Sequence, residues 1–303
     1  MQSFTSIIFK AALAIAIMFI GVAGAQAAPL NSNLDAAWSF DETSGDFQDA
    51  TANNNDATAV SNPYGDGSNG VIGGAMDLDG STDGANGGNI GLYNQTDAFS
   101  VAFWLKLNSP ASTFINFIGR EDNSGGHNEG WSVRSGPSTQ RQKLRFQYIG
   151  YDGSNTYSDA IHSNTNVLGT TDWLFIVLTH NGSTSLSDTK FYVNGSEIAT
   201  SFSGVNQDVN GNDHTADATD FHIGQRFDTN AGFVPGLMDE AALWSRELTA
   251  IEISWLWNGG AGQSAATIAA TAATVPEPAT LGLTMLGFGA LVLRRSDRAG
   301  RRH

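Results

Sequence analysis

Apolar positions along this chain alternate with polar ones far more often than they recur at helical spacing. Between Phe99 and Leu107, Phe99, Val101, Phe103, Leu105 and Leu107 share one parity, and Ser100, Ala102, Trp104 and Lys106 the other. Successive side chains of a strand point to opposite faces, so this run predicts a strand with one core-facing side. From Trp173 to Thr179 both parities are apolar, which predicts a central strand covered on each side. Leu144, Phe146 and Tyr148 alternate with Arg145 and Gln147, giving one core face and one polar face. Lys190–Ile198 reads as a hairpin turning at Asn194-Gly195, and Gly236–Trp244 as a late strand. Thr249 with Glu252 three residues on forms a capping box that opens a short helix, Ala250–Trp257. Trp38, Trp104, Trp173 and Trp244 lie in apolar alternation and are assigned to the core. Dense Gly, Asn, Asp and Ser punctuation between short apolar runs predicts an all-β sandwich of antiparallel strands over residues 28–260. Residues 261–274, rich in Ala and Thr, predict a flexible linker.

Both ends carry a different pattern. Lys10 precedes an apolar run from Ala11 to Val22, and Ala25-Gln26-Ala27 supplies a small-x-small site. Residues 1–27 are therefore expected to be a signal peptide cut after Ala27 by signal peptidase, an uncleaved anchor being the alternative. At the other end, Val275-Pro276-Glu277-Pro278 is followed by an apolar run from Leu281 to Leu293 and by Arg294, Arg295, Arg298, Arg301 and Arg302. Residues 275–303 resemble the PEP-CTERM sorting signal, with its box, short hydrophobic helix and arginine cluster in order. An apolar run shorter than about 20 residues makes a short or tilted transmembrane helix, whose arginines favour the cytoplasmic side. The resemblance implies a Gram-negative cell and cleavage near Pro276–Pro278 by an exosortase-type protease. It also implies transient anchoring in the inner membrane, followed by residence at the cell surface or in the extracellular matrix. An ordinary tail anchor is the alternative.

Trimmed of both ends, the chain keeps nine basic against twenty-eight acidic residues, a net charge near −19. Such a domain lacks the electrostatic footprint of a nucleic-acid or anionic-membrane binder. It offers many hard oxygen ligands for calcium, or simply a solvated acidic surface. There is no cysteine, which removes disulfides and thiolate metal sites and leaves stability to the core.

Several segments, taken in order, resemble the laminin G-like jelly roll of the concanavalin A-like superfamily. They are Ala37–Glu42, Gly73–Gly80, Phe99–Lys106, Lys190–Gly195 and Gly236–Trp244 with Arg246–Thr249 after it. The resemblance implies a two-sheet antiparallel jelly roll. It also implies one structural calcium, with Asp239 favoured and Asp79 and Asp41 in support. Asp239 could instead satisfy strand-end backbone donors or pair with Arg246.

Catalytic signatures are missing. Retaining hydrolases of this superfamily carry a Glu-x-Asp-x-x-Glu strand, whose carboxyl groups stand about 5–5.5 Å apart. No such triplet occurs, and Asp239-Glu240, adjacent in a strand, would face opposite ways. Nucleophile-elbow, zinc-helix and phosphate-loop motifs are lacking too, and His127, His162, His180, His214 and His222 are placed in loops or near strand ends. The ligand-binding expectation falls on the polar strand face, with Arg145 and Gln147, joined by Arg134, Tyr192 and His222. Tyr148, Tyr151 and Tyr157 are expected to be aromatic platforms for sugar rings. The sequence thus predicts an exported, non-catalytic recognition or structural protein of exopolysaccharide or biofilm matrix. A dedicated carbohydrate-binding lectin and a polysaccharide-degrading enzyme are the alternatives.

Overall fold

The computed structural model describes residues 29–122, 129–151, 156–183, 185–204, 219–226 and 231–271. The expected signal peptide and sorting tail lie outside them, and among the described residues no helix is long and apolar enough to cross a membrane.

Short apolar runs separated by turn-forming residues become fifteen strands among the described residues. The first seven are Leu34–Trp38 (β1), Thr58–Val60 (β2), Met76–Asp79 (β3), Gly84–Gly88 (β4), Ala98–Leu107 (β5), Asn116–Asp122 (β6) and Glu129–Ser135 (β7). Leu144–Tyr151 (β8), Thr156–Ser163 (β9), Leu174–Asn181 (β10) and Lys190–Val193 (β11) follow. Ser196–Ile198 (β12), Thr200–Ser203 (β13), Phe221–Ile223 (β14) and Pro235–Trp244 (β15) complete the set. One sheet runs β1-β15-β5-β10-β11-β12, with β3 also on β15, and the other β13-β9-β8-β7-β6-β14-β4-β2. The strand pairs in both sheets are antiparallel.

The main core lies between the sheets. It takes Phe99, Val101, Phe103, Leu105 and Leu107 from β5 and Leu144, Phe146 and Tyr148 from β8. β10 is buried on both faces as its double apolar parity predicts: Leu174, Ile176 and Leu178 enter this core, Phe175 and Val177 a second one. The second core covers the back of the seven-stranded sheet. It packs Ala102, Trp104 and Trp244 under the helices Ala250–Trp257 (α1) and Ala265–Ala270 (α2). α1 starts at the predicted capping box: the Glu252 amide donates to Thr249 Oγ1 at 3.3 Å, and the Thr249 amide to Glu252 Oε2 at 2.8 Å. The Asn194-Gly195 turn is also formed, with both residues at positive φ (51° and 76°).

Two expectations are corrected. The stretch read as a flexible linker folds at Ala265–Ala270 into α2, whose Ala265 and Ile268 are buried in the second core. Ser264 caps it by accepting the Thr267 amide at 3.2 Å, and Asn31 Nδ2 donates to the Ala269 carbonyl at 3.1 Å. Six residues cannot sustain a helix alone, so docking makes this one. The second correction concerns Asp239 and Glu240. The pairing of β15 with β5 slips between Asp239 and Ala242, and Glu240 takes φ 47°. This is a β-bulge, which resets side-chain parity. Met238, Ala241 and Leu243 face the main core while Ala242 and Trp244 face the second. Both acids between Met238 and Ala241 therefore turn away from the main core and lie buried on the side of the second, so the two neighbours share a side.

Candidate binding face

The face of the eight-stranded sheet turned away from the core is built from the polar parity of its strands. Antiparallel register lines these residues into rows. One row runs Asn116–Arg134–Arg145–His162–Ser201 across β6, β7, β8, β9 and β13. The next runs His222–Gly119–Ser132–Gln147–Ala160–Ser203, starting on β14. Residues two apart in β7 and β8 thus put Arg134 beside Ser132 and Arg145 beside Gln147. The second row is low, because Gly119, Ser132 and Ala160 project little beyond the backbone.

This face is polar yet withdrawn from solvent. Asn116 is 0 %, Gln147 6 % and His162 7 % exposed. Several of these groups have no hydrogen-bond partner: both side-chain polar atoms of Asn116, Arg145 Nε and Gln147 Oε1. Buried polar groups are ordinarily paired, and each unpaired one costs roughly 1–3 kcal/mol. Glu121, buried on the same face, is partnered chiefly through Oε1. It accepts from Ser132 Oγ at 2.6 Å, and Arg134 (3.4 Å) and Arg226 (3.6 Å) reach it as ion pairs. Arg145 instead donates from Nη1 to His162 Nε2 at 3.2 Å. Burial lowers its pKa to about 10, and the neighbouring Arg134 charge adds to this. Burial, with Arg145, Lys143 and Arg134 nearby, lowers His162 to about 4, so its ring is a neutral acceptor at neutral pH.

Sequence reasoning located part of this site. Arg145, Gln147, Arg134 and His222 do share the face. Tyr148 does not: it has the parity of Phe146, is fully buried, and its hydroxyl donates to the Tyr93 carbonyl. Tyr192 belongs to the other sheet, in the second core. Tyr151 and Tyr157 lie on β8 and β9, and their side chains fall outside the described residues, as do His127 and His214. His162, His180 and His222 stand near strand ends, as expected. His180 bonds Thr189 Oγ1 (2.8 Å) and the Gln95 carbonyl (2.6 Å) inside the core. Asn116 and His162 were missed. Only sheet register joins them to Arg134 and Arg145, and no local pattern records that register.

The three expected calcium ligands each accept backbone amides. Asp239 Oδ2 accepts the amides of Val71 (2.6 Å) and Ile72 (3.1 Å), and Asp41 Oδ1 that of Gly74 (2.5 Å). Asp79 Oδ1 accepts the amides of Ser81 (2.7 Å) and Thr82 (2.8 Å). The Ser81 hydroxyl and these amides hold Asp79 well below the usual carboxylate range. Among the described residues no three His, Cys, Asp or Glu side chains gather as a metal cage. Arg246 is no partner of Asp239 either; it grips Glu252 with two bonds, at 2.7 and 3.1 Å. Asp239 and Asp41 instead pin the loop at residues 70–74.

A family model, that of the concanavalin A-like lectin/glucanases superfamily, matches residues 79–254, from the end of β3 into α1. Among solved structures, the binding domain of botulinum neurotoxin serotype D/C is similar at TM-score 0.52 and 18% identity, over 76% of this chain and 52% of that one. The binding domain of botulinum neurotoxin DC in complex with rat synaptotagmin II gives 0.51 and 17%, over 75% and 52%. That of Paraclostridial Mosquitocidal Protein 1 gives 0.50 and 15%, over 76% and 53%. The chain thus spans about half the length of these structures, and at such identities the likeness is one of fold. No curated protein matches.

Proposed function

The chain belongs to the concanavalin A-like lectin/glucanases superfamily, and from that premise we propose that it is an exported, non-catalytic recognition module that binds polysaccharide. The binding face is the outer side of the eight-stranded sheet. The observation that carries this reading is the set of buried, unpartnered donors and acceptors on that face: Asn116, Arg145 and Gln147. Sugar hydroxyls donate and accept at once, so a saccharide lying on the low Gly119–Ser132–Ala160 row would offer both kinds of partner to Arg145 and Gln147 at its edge. Asp239 and Glu240 are engaged with a backbone loop and a helix terminus, an arrangement suited to holding structure rather than cleaving a glycosidic bond.

The small-x-small site at Ala27, the Pro276–Pro278 box and the basic tail support signal peptidase and an exosortase-type protease as processing partners. The mature domain then serves at the cell surface or in the exopolysaccharide matrix. Mass spectrometry of the protein recovered from a host with such a protease should find new ends near Ala27 and Pro276.

A glycan panel tests the binding reading. Saturable binding to at least one polysaccharide is expected, weakened about tenfold or more by Gln147→Ala, since a lost buried hydrogen bond costs about 1.4 kcal/mol. Binding to none of the panel, or binding indifferent to Gln147→Ala, removes the assignment.

A further inference from the structure

Basic residues are scarce in this acidic chain and unevenly placed. Residues 30–271 hold nine Lys and Arg in a protein of formal net charge −15. Five of the nine gather at one end of the binding face: Arg134, Arg141, Lys143, Arg145 and Arg226. Arg134 and Arg141 flank the Phe114 ring, with guanidinium carbons 5.3 and 5.9 Å from its centre. Lys143 is near enough to act on His162, as Arg226 and Arg141 act on Arg134.

The compensating negative charge is small. Glu121 is shared between Arg134 and Arg226. Arg145 has no carboxylate within ion-pair distance among the described residues; its Nη1 bonds a neutral imidazole, and its Nε–H is buried and unpartnered. Glu121 acts on Arg145 only from a distance, opposing the burial that disfavours its charge. A half-buried guanidinium without a directly paired carboxylate is unfavourable, and the planar fork of Arg matches the geometry of a carboxylate or sulfate.

We infer that this face, on the binding reading above, selects an anionic polysaccharide, and that Arg145 meets its carboxylate or sulfate group. Gln147, one row along on the same strand, takes a neighbouring hydroxyl, and the small second row admits the ring. An overall negative chain repels polyanions elsewhere, so the five basic residues also fix where such a chain docks.

The test uses the full-length protein in mild detergent, with polygalacturonate, dextran sulfate and neutral dextran as probes. At least one polyanion should bind about tenfold or more tightly than dextran, and Arg145→Gln should weaken it about tenfold while Arg145→Lys restores part. Carboxylate and sulfate as the recognised group are separated by which polyanion binds. Thermal unfolding of each variant checks folding. If Arg145→Gln does not fold, Arg141→Gln replaces it, with a loss of about twofold expected from a rim charge. Dextran bound as tightly as either polyanion, or polyanion binding untouched by the arginine variants, overturns the inference and leaves the binding reading intact. If these probes and the wider glycan panel all fail to bind, the binding reading itself falls.

Discussion

At the scale of single residues, the bulge at Glu240 buries two neighbouring carboxyl groups on one side of β15. Glu240 Oε2 accepts the Ala265 amide at 2.5 Å, while Oε1 and Asp239 Oδ1 are buried without partners. Burial raises Asp239 to about 7, with Asp41 adding to it. Burial and the Asp239 charge raise Glu240 to about 9. Both folded-state values exceed the ordinary carboxylate value near 4, so the folded protein holds more protons than the unfolded one between about pH 4 and 9. Stability must therefore fall as pH rises through that window. Glu240→Gln keeps an acceptor for Ala265 and cannot ionise. It should raise the melting temperature at pH 9 by several degrees, change it little at pH 5, and flatten the pH profile. Calorimetry at both pH values checks this, and a parent profile flat from pH 5 to 9 would contradict the buried pair. The same residues show where one sequence runs out. Arg145 and Gln147 were legible because strict alternation places them opposite Leu144 and Phe146. The Asp239–Glu240 pairing was not, because a bulge breaks the alternation from which it would be read. Tyr148 was lost to its chemistry: a phenol suits a sugar, but its parity puts it in the core.

At the scale of elements, turns and caps were the most legible features, since each depends on a few adjacent residues. Gly195 is the second residue of a two-residue hairpin turn at φ 76°, and a Cβ there would stand 2.8 Å from Trp257 Cε3 of α1. Gly195→Ala is expected to cost about 1–2 kcal/mol, through left-handed backbone strain and displacement of Trp257. Urea unfolding reads it as a lower midpoint at unchanged slope. α2 was illegible for the opposite reason. Its six residues carry no amphipathic stripe long enough to detect, and its formation rests on partners far away in sequence: Glu240, Asn31 and the second core. Ile268 is 3 % exposed there. Ile268→Ala should cost about 2–4 kcal/mol, as for other buried truncations. In a free tether the same change would cost almost nothing, so the measured loss decides between the two descriptions.

At the scale of the whole molecule, the sandwich itself could be read from strand parity, because a buried strand face must be apolar wherever it pairs. Which strands become neighbours could not, and the site depends on that order: β14-β6-β7-β8-β9 brings residues 116, 134, 145 and 162 into one line. The resulting charge distribution has a kinetic consequence. A chain of net charge −15 approaching a polyanion is repelled at long range, whereas the basic end of the binding face attracts only at close quarters. Salt screens the two over different distances. The Debye length is about 30 Å at 0.01 M and about 10 Å at 0.1 M, so moderate salt removes the repulsion before it reaches the contact pairs. The association rate with a polyanion should therefore rise between about 10 and 100 mM salt, the reverse of ordinary electrostatic steering. The dissociation rate should rise too, as the Arg145 contact weakens. Surface plasmon resonance across that salt range separates the rates. Association that slows steadily with salt would mean that attraction dominates even at long range, and a neutral glycan should leave both rates nearly unchanged.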